Sequence, residues 1–241
     1  MKEKTITEKI DVIMRYTFIA MTLLAIIYGF YPNEENESIE WEGIFSLTFA
    51  LILFMLPSIF SRRTKIKIPA TFQLTFSLFI FASLYLGEVH DFYYRFRWWD
   101  SMLHSVSAVL LGYFGFLLIF TLNKDKNMHL KLSPFFIALF TFCFAMTMGI
   151  LWEIFEFIID GLFGANMQKA RYLEELYGVF DTRFGVLDTM KDLIVDAIGA
   201  LFVAINSYFF CKKRMVKETA FWRLKDQFIE ENPALFKRME N

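Results

Sequence analysis

The sequence predicts an all-α, polytopic membrane protein with six transmembrane helices and both termini in the cytoplasm. Three observations carry this. The 241 residues are 56% hydrophobic, with 31 Phe and only 5 Pro, more apolar than an ordinary soluble domain. The apolar residues fall into six separate blocks, each near the ~20 residues a helix needs to cross a bilayer. Basic residues gather in alternate loops, the pattern of cytoplasmic loops.

In chain order the spans run over about 10–31, 43–60, 69–87, 100–122, 133–160 and 188–211. The first is too long for the apolar core of a signal peptide and lacks a small-residue cleavage site, so it is expected to be a retained helix. Span two is followed by SRRTKIK, with Arg62, Arg63, Lys65 and Lys67. Span four is followed by Lys124, Lys126 and Lys131, and span six by KKRMVK. The first loop, YPNEENESIEWE, has no basic residue. The third and fifth are mixed, with Arg95 and Arg97 in one and Lys169, Arg171 and Arg183 in the other. Loops one, three and five are therefore expected outside.

Residues 1–211 read as one six-helix membrane domain and 212–241 as a cytoplasmic amphipathic tail. In that tail ETAFWRLKDQFIEE sets Phe221, Leu224, Phe228 and Ile229 on one helical face, as in a helix lying on the inner leaflet. Cys143 and Cys211 form no CxxC or disulfide pattern. A net charge of −1 without a large basic domain gives no support for nucleic-acid binding. No internal repeat, Walker loop, GxSxG, HExxH or dinucleotide fingerprint is present.

The polar residues are distributed unevenly. Spans one to three hold almost no ionisable side chain beyond Arg15, whereas the last three carry Asp100, His104, Glu153, Glu156, Asp188, Lys191, Asp192 and Asp196. Such groups cost several kcal/mol in a bilayer unless paired, hydrated or bound, so they mark a site. All lie toward the outer ends of their spans. At ~1.5 Å rise per residue His104 is ~6 Å below Asp100, Glu153 ~10 Å below Asp160, and Asp196 ~12 Å below Asp188. Asp100 and His104 share a helix face, as do Asp188, Asp192 and Asp196, and Glu153 lies three residues from Glu156. Gly199 returns to the face of Asp192 and would admit a neighbouring helix closely.

Carboxylates with one imidazole suit a divalent ion, Mg²⁺, Mn²⁺, Ca²⁺ or Zn²⁺, and the expected ligands are Asp100, His104, Glu153, Glu156, Asp192 and Asp196. The same groups also suit a proton-sharing network without metal. Against these stands solvation at the headgroup level or helix capping, which explains Asp100, Asp160 and Asp188 best but fits His104, Glu153, Asp192 and Asp196 poorly. Lys191 is expected to snorkel outward or pair with an acid. Loop three, EVHDFYYRFRWWD, reads as an aromatic belt at the outer interface, in which Arg95 and Arg97 are positioned to bind a lipid phosphate or acidic headgroup. Loop five, roughly 161–187, is long enough for a lid, with QKARYLEELYG as a short helix over the cavity mouth.

The segments WWDSMLH, WEIFEF and DTMKDLIVDAIGA together resemble the YjdF-like group of bacterial inner-membrane proteins, over roughly residues 70–210. The resemblance implies a multipass protein of the bacterial cytoplasmic membrane. A looser similarity is to VanZ-like proteins, which are associated with glycopeptide tolerance at the cell surface. It rests on the aspartate–histidine helix start at Asp100 and His104, the glutamates Glu153 and Glu156, and the segment Asp192, Asp196 and Gly199. Glu156 stands where that pattern often has Gln, Asp196 where Asn is usual, and the proline–glycine–arginine turn is missing.

Three functions compete. The first is an enzyme or binding protein for a lipid or envelope-linked substrate, with a divalent metal activating water or polarising a phosphoryl group and His104, Glu153 and Glu156 as catalytic groups. The second is a cation- or proton-coupled transporter, against which the inner halves of the spans hold no matching polar residues. The third is a scaffold whose polar network locks three helices together.

Overall fold

The computed structural model describes residues 6–29, 41–65, 67–124, 131–163, 166–168, 178, 183–212 and 220–233, and among them it is helical with no strand. The helices are α1 (Ile6–Gly29), α2 (Trp41–Thr64), α3 (Ala70–Ile80) continuing as the π-helix π1 (Phe81–Val89), α4 (Phe92–Arg95), α5 (Trp99–Lys124), α6 (Pro134–Phe163), α7 (Arg183–Cys211) and α8 (Ala220–Glu231). Four stretches, Ala70–Glu88, Trp99–Asn123, Pro134–Phe163 and Arg183–Cys211, are long and apolar enough to cross a membrane. The first two expected spans are occupied by α1 and α2, helices of 24 residues each that lie outside this set of four among the described residues.

The chain divides into two compact units, one running to Trp99 and including residues 218–237, the other spanning residues 100–217. In the first unit Ala50 and Phe54 of α2 close on Ile80 of α3 and Leu84 of π1, with Phe49, Leu53, Phe76, Phe79, Phe81 and Tyr85 around them. The wide turn of π1 ends where His90 N–H donates to Tyr85 O at 3.1 Å. A side chain at Gly87 would run into the Tyr93 ring, so α4 folds back tightly on π1. Asp91, at φ 58°, makes that reversal. Beyond it Phe92 and Trp99 stack edge to face at 4.9 Å, with Phe96 against both.

Tail helix α8 docks onto this unit. Lys67 N–H donates to Asn232 Oδ1 at 2.6 Å, and Asn232 Nδ2 donates back to Lys67 O at 2.8 Å. Thr71 Oγ1 meets Gln227 Oε1 at 3.3 Å. The tail thus holds the loop between α2 and α3, a protein contact in addition to the lipid contact its amphipathic pattern predicts.

In the second unit α5, α6 and α7 bury small residues where they meet. A Cβ on Gly199 of α7 would sit 2.9 Å from Ala108 Cβ and 3.1 Å from Ser105 O of α5, the close approach its spacing predicts. Gly112 of α5 faces Val203 of α7, and Gly115 faces Phe144 of α6. The other faces carry exposed Leu151, Phe157 and Leu162 on α6 and Ile194, Ile198 and Phe202 on α7, a surface for lipid chains and not for water.

Candidate functional site

Each helix of the second unit turns a polar stripe inward. On α6 the buried positions Ile137, Ala138, Thr141, Ala145, Gly149, Glu153 and Glu156 recur at three- and four-residue intervals, so one face is small and apolar at one end and acidic at the other. On α7 the buried stripe begins with Asp192 and Asp196 and continues through Gly199, Ala200, Val203, Ala204 and Ser207. Thr141 and Ser207 satisfy their hydroxyls on carbonyls of their own helices, at 2.8 Å each. Glu153, Asp192 and Asp196 each keep one carboxylate oxygen without such a partner among the described residues.

His104 occupies the middle of the cluster. Its Nδ1 lies 3.4 Å from Asp196 Oδ2 on α7. Its Nε2 lies 3.8 Å from Glu153 Oε1 on α6 and 4.0 Å from Asp100 Oδ1 one turn back on α5. One ring therefore touches acids of all three helices. Asp100, His104 and Asp192 each offer a ligand atom within 4.8 Å of one another. His104, Glu153, Asp192 and Asp196 are 7%, 5%, 2% and 2% exposed, so solvation at the headgroup level does not describe them. The oxygens left without a hydrogen-bond partner are Glu153 Oε1, Asp192 Oδ1 and Asp196 Oδ1. Gly149 permits this assembly, because any side chain there would strike Asp196 Oδ2.

The other expected site residues are engaged differently. Glu156 is buried and accepts a hydrogen bond from Trp152 Nε1 at 2.8 Å, one turn back on α6. Asp188 lies inside α7, which starts at Arg183, so it is not the helix cap the sequence allowed. Lys191 is exposed, in keeping with a snorkelling side chain. Arg95 and Arg97 belong to the first unit and are exposed at the end of α4 and just beyond it. The short helix expected over QKARYLEELYG lies outside the described residues, apart from Gln168 and Gly178.

Two residues near the site, Gln168 and Thr189, escape spacing arguments. Asp160, at the end of α6, accepts from Met167 N–H at 2.7 Å and from Gln168 N–H at 2.9 Å. The Gln168 side-chain amide donates to Thr189 Oγ1 at 3.1 Å. Thr189 in turn is a neighbour of the Glu153 carboxyl. Thr189 stands about one turn before Asp192 on α7, and only the DTMKD pattern around it hints at a polar neighbour.

Chemically, an imidazole that donates Nδ1–H to Asp196 turns its Nε2 lone pair toward Asp100 and Glu153, the carboxylate–histidine arrangement that orients metal-bound histidines. Donors on one ion at about 2.0–2.2 Å lie at most about 4.4 Å apart. The 3.8 and 4.0 Å separations fall inside that limit. The wider grouping at 4.8 Å requires a few tenths of an ångström of carboxylate rotation.

A profile of the family described as "Predicted membrane protein (DUF2238)" matches residues 13–213. A protein of Thermotoga maritima, described as an uncharacterized protein, is 26% identical over 169 residues, covering 69% of this chain and 74% of its own. No solved structure matches.

Proposed function

We propose, for a chain that belongs to the DUF2238 family of predicted membrane proteins, a divalent-cation centre inside the membrane domain that binds or transforms a lipid or envelope-linked substrate. The observation that carries this reading is the set of buried carboxylate oxygens, on Glu153, Asp192 and Asp196, with no hydrogen-bond partner beside one imidazole. A helix-locking network would pair those oxygens, because an unpaired buried carboxylate is strongly destabilising. A cation supplies the missing charge.

In this reading His104 Nε2, Asp100, Asp192 and Glu153 hold the ion, and Asp196 orients the ring through Nδ1. One nitrogen among hard oxygens suits Mn²⁺ or Zn²⁺. Such an ion would activate water or polarise a phosphoryl oxygen. The charge pattern of the loops supports a bacterial cytoplasmic membrane protein of six spans with both termini inside and the centre opening outward, where Arg95 and Arg97 would meet anionic headgroups.

Metal analysis of protein purified under metal-replete conditions tests the centre. The wild type should retain about one ion per chain, and His104→Ala and Glu153→Gln should lose it. A folded wild type that retains none removes the metal reading. Envelope lipids and lipid-linked phosphates are then the substrates to assay with the loaded protein.

A further inference from the structure

A chain of hydrogen bonds runs from the end of α6 to Thr189 of α7. Met167 and Gln168 donate their backbone N–H groups to the two oxygens of Asp160, at 2.7 and 2.9 Å, which pins the segment 166–168 to the end of α6. That placement brings the Gln168 amide to Thr189 on α7, with Nε2 as donor and Oγ1 as acceptor at 3.1 Å. A hydroxyl whose lone pair accepts from an amide is left to donate its own proton elsewhere. The acidic neighbour of that hydroxyl is Glu153. Its Oε1 meanwhile points toward His104 Nε2 at 3.8 Å.

We infer that the Thr189 hydroxyl donates to Glu153, so that Asp160, Gln168 and Thr189 are positioning residues for it and residues 166–168 help set the geometry of the centre. This rests on Glu153 being a site residue, as proposed above, and it adds an outer layer that no ligand-spacing argument contains. Groups that hydrogen-bond a ligating carboxylate typically change metal affinity 10–100-fold when removed. The direction of the chain gives a sharper expectation. Gln168→Glu is nearly isosteric but replaces a donor with an acceptor, so it competes for the Thr189 proton and withdraws it from Glu153.

The experiment uses the full-length protein with two readouts. Mn²⁺ binding is followed by electron paramagnetic resonance. Separately, in metal-free protein, the carboxyl stretch that disappears in Glu153→Gln is followed by infrared spectroscopy. Thr189→Val and Gln168→Glu should weaken Mn²⁺ binding about 10–100-fold and shift the Glu153 band. Thr189→Ser, which keeps the hydroxyl, should resemble the wild type in both, and it separates a lost hydrogen bond from a fold that fails. If the wild type binds no Mn²⁺ but the band still shifts, the metal reading falls and the positioning chain stands. If Mn²⁺ binds and neither affinity nor band responds to Thr189→Val, the chain is overturned and the metal reading stands.

Discussion

Gly149 decides whether Asp196 can reach His104. An added methyl would meet Asp196 Oδ2, and that oxygen is already committed to His104 Nδ1 at 3.4 Å. Gly149→Ala should therefore cost about 1–3 kcal/mol of stability, as overpacking does, and reduce cation binding as well. Gly161, on the same helix with nothing within 4 Å of its Cβ position, provides the contrast. Gly161→Ala should be neutral or stabilising by up to about 1 kcal/mol. Thermal unfolding of the detergent-solubilised variants reads both, and equal melting shifts would contradict the packing argument. At this scale the sequence is informative about membership and silent about roles. Helical spacing puts Asp100 with His104, and Asp192 with Asp196, on shared faces, but it does not say which faces meet. It offers no means of dividing the two imidazole nitrogens between Asp196 and Glu153, since that depends on helix rotation. It also groups Glu156 with Glu153, although Trp152, four residues back, holds the Glu156 carboxylate. Gln168 and Thr189 are 21 residues apart, and no periodic signal covers such a pair.

Among the elements, the helices follow the apolar blocks closely, while their irregularities do not show in composition. The expected span 69–87 is a helix that changes to π geometry at Phe81 and ends at the tight Gly87–Tyr93 approach. The start of α7 lies at Arg183, ahead of the expected 188, because Asp188 interrupts the apolar run without ending the helix. The tail helix makes the clearest prediction. Asn232 is 5% exposed and serves both the N–H and the carbonyl of Lys67. Asn232→Ala leaves those two backbone groups without their partner and should cost about 1–3 kcal/mol at the docking contact. Limited proteolysis of the tail should accelerate correspondingly. Asn232→Asp keeps the acceptor for Lys67 N–H and should fall between. Unchanged proteolysis in Asn232→Ala would mean the helix is held by its apolar face alone.

For the molecule as a whole, the Lys67–Asn232 contact constrains topology. Among the described residues four helices long and apolar enough to cross a membrane separate the two, and an even number of crossings returns a chain to the surface it left. In a background lacking Cys143 and Cys211, Lys65→Cys and Asp226→Cys should therefore react alike with an impermeant maleimide. Both should be protected in intact cells and labelled after permeabilisation, whereas Arg97→Cys should label from outside. Opposite behaviour at positions 65 and 226 would rule out four crossings between them. The His104 arrangement bears on how the protein is made. Asp196, which faces its Nδ1, is synthesised 92 residues later, about 5–20 s at ordinary translation rates. During that interval α5 must enter the bilayer without its α7 partner, and an unpaired ionised group near mid-membrane costs about 2.5–3.5 kcal/mol on the insertion scale. Asp100 and His104 lie in the first turns of α5, close to its start. Glu153 and Asp196 follow only with α6 and α7, so the ring acquires its acidic neighbours in the order in which the chain is made.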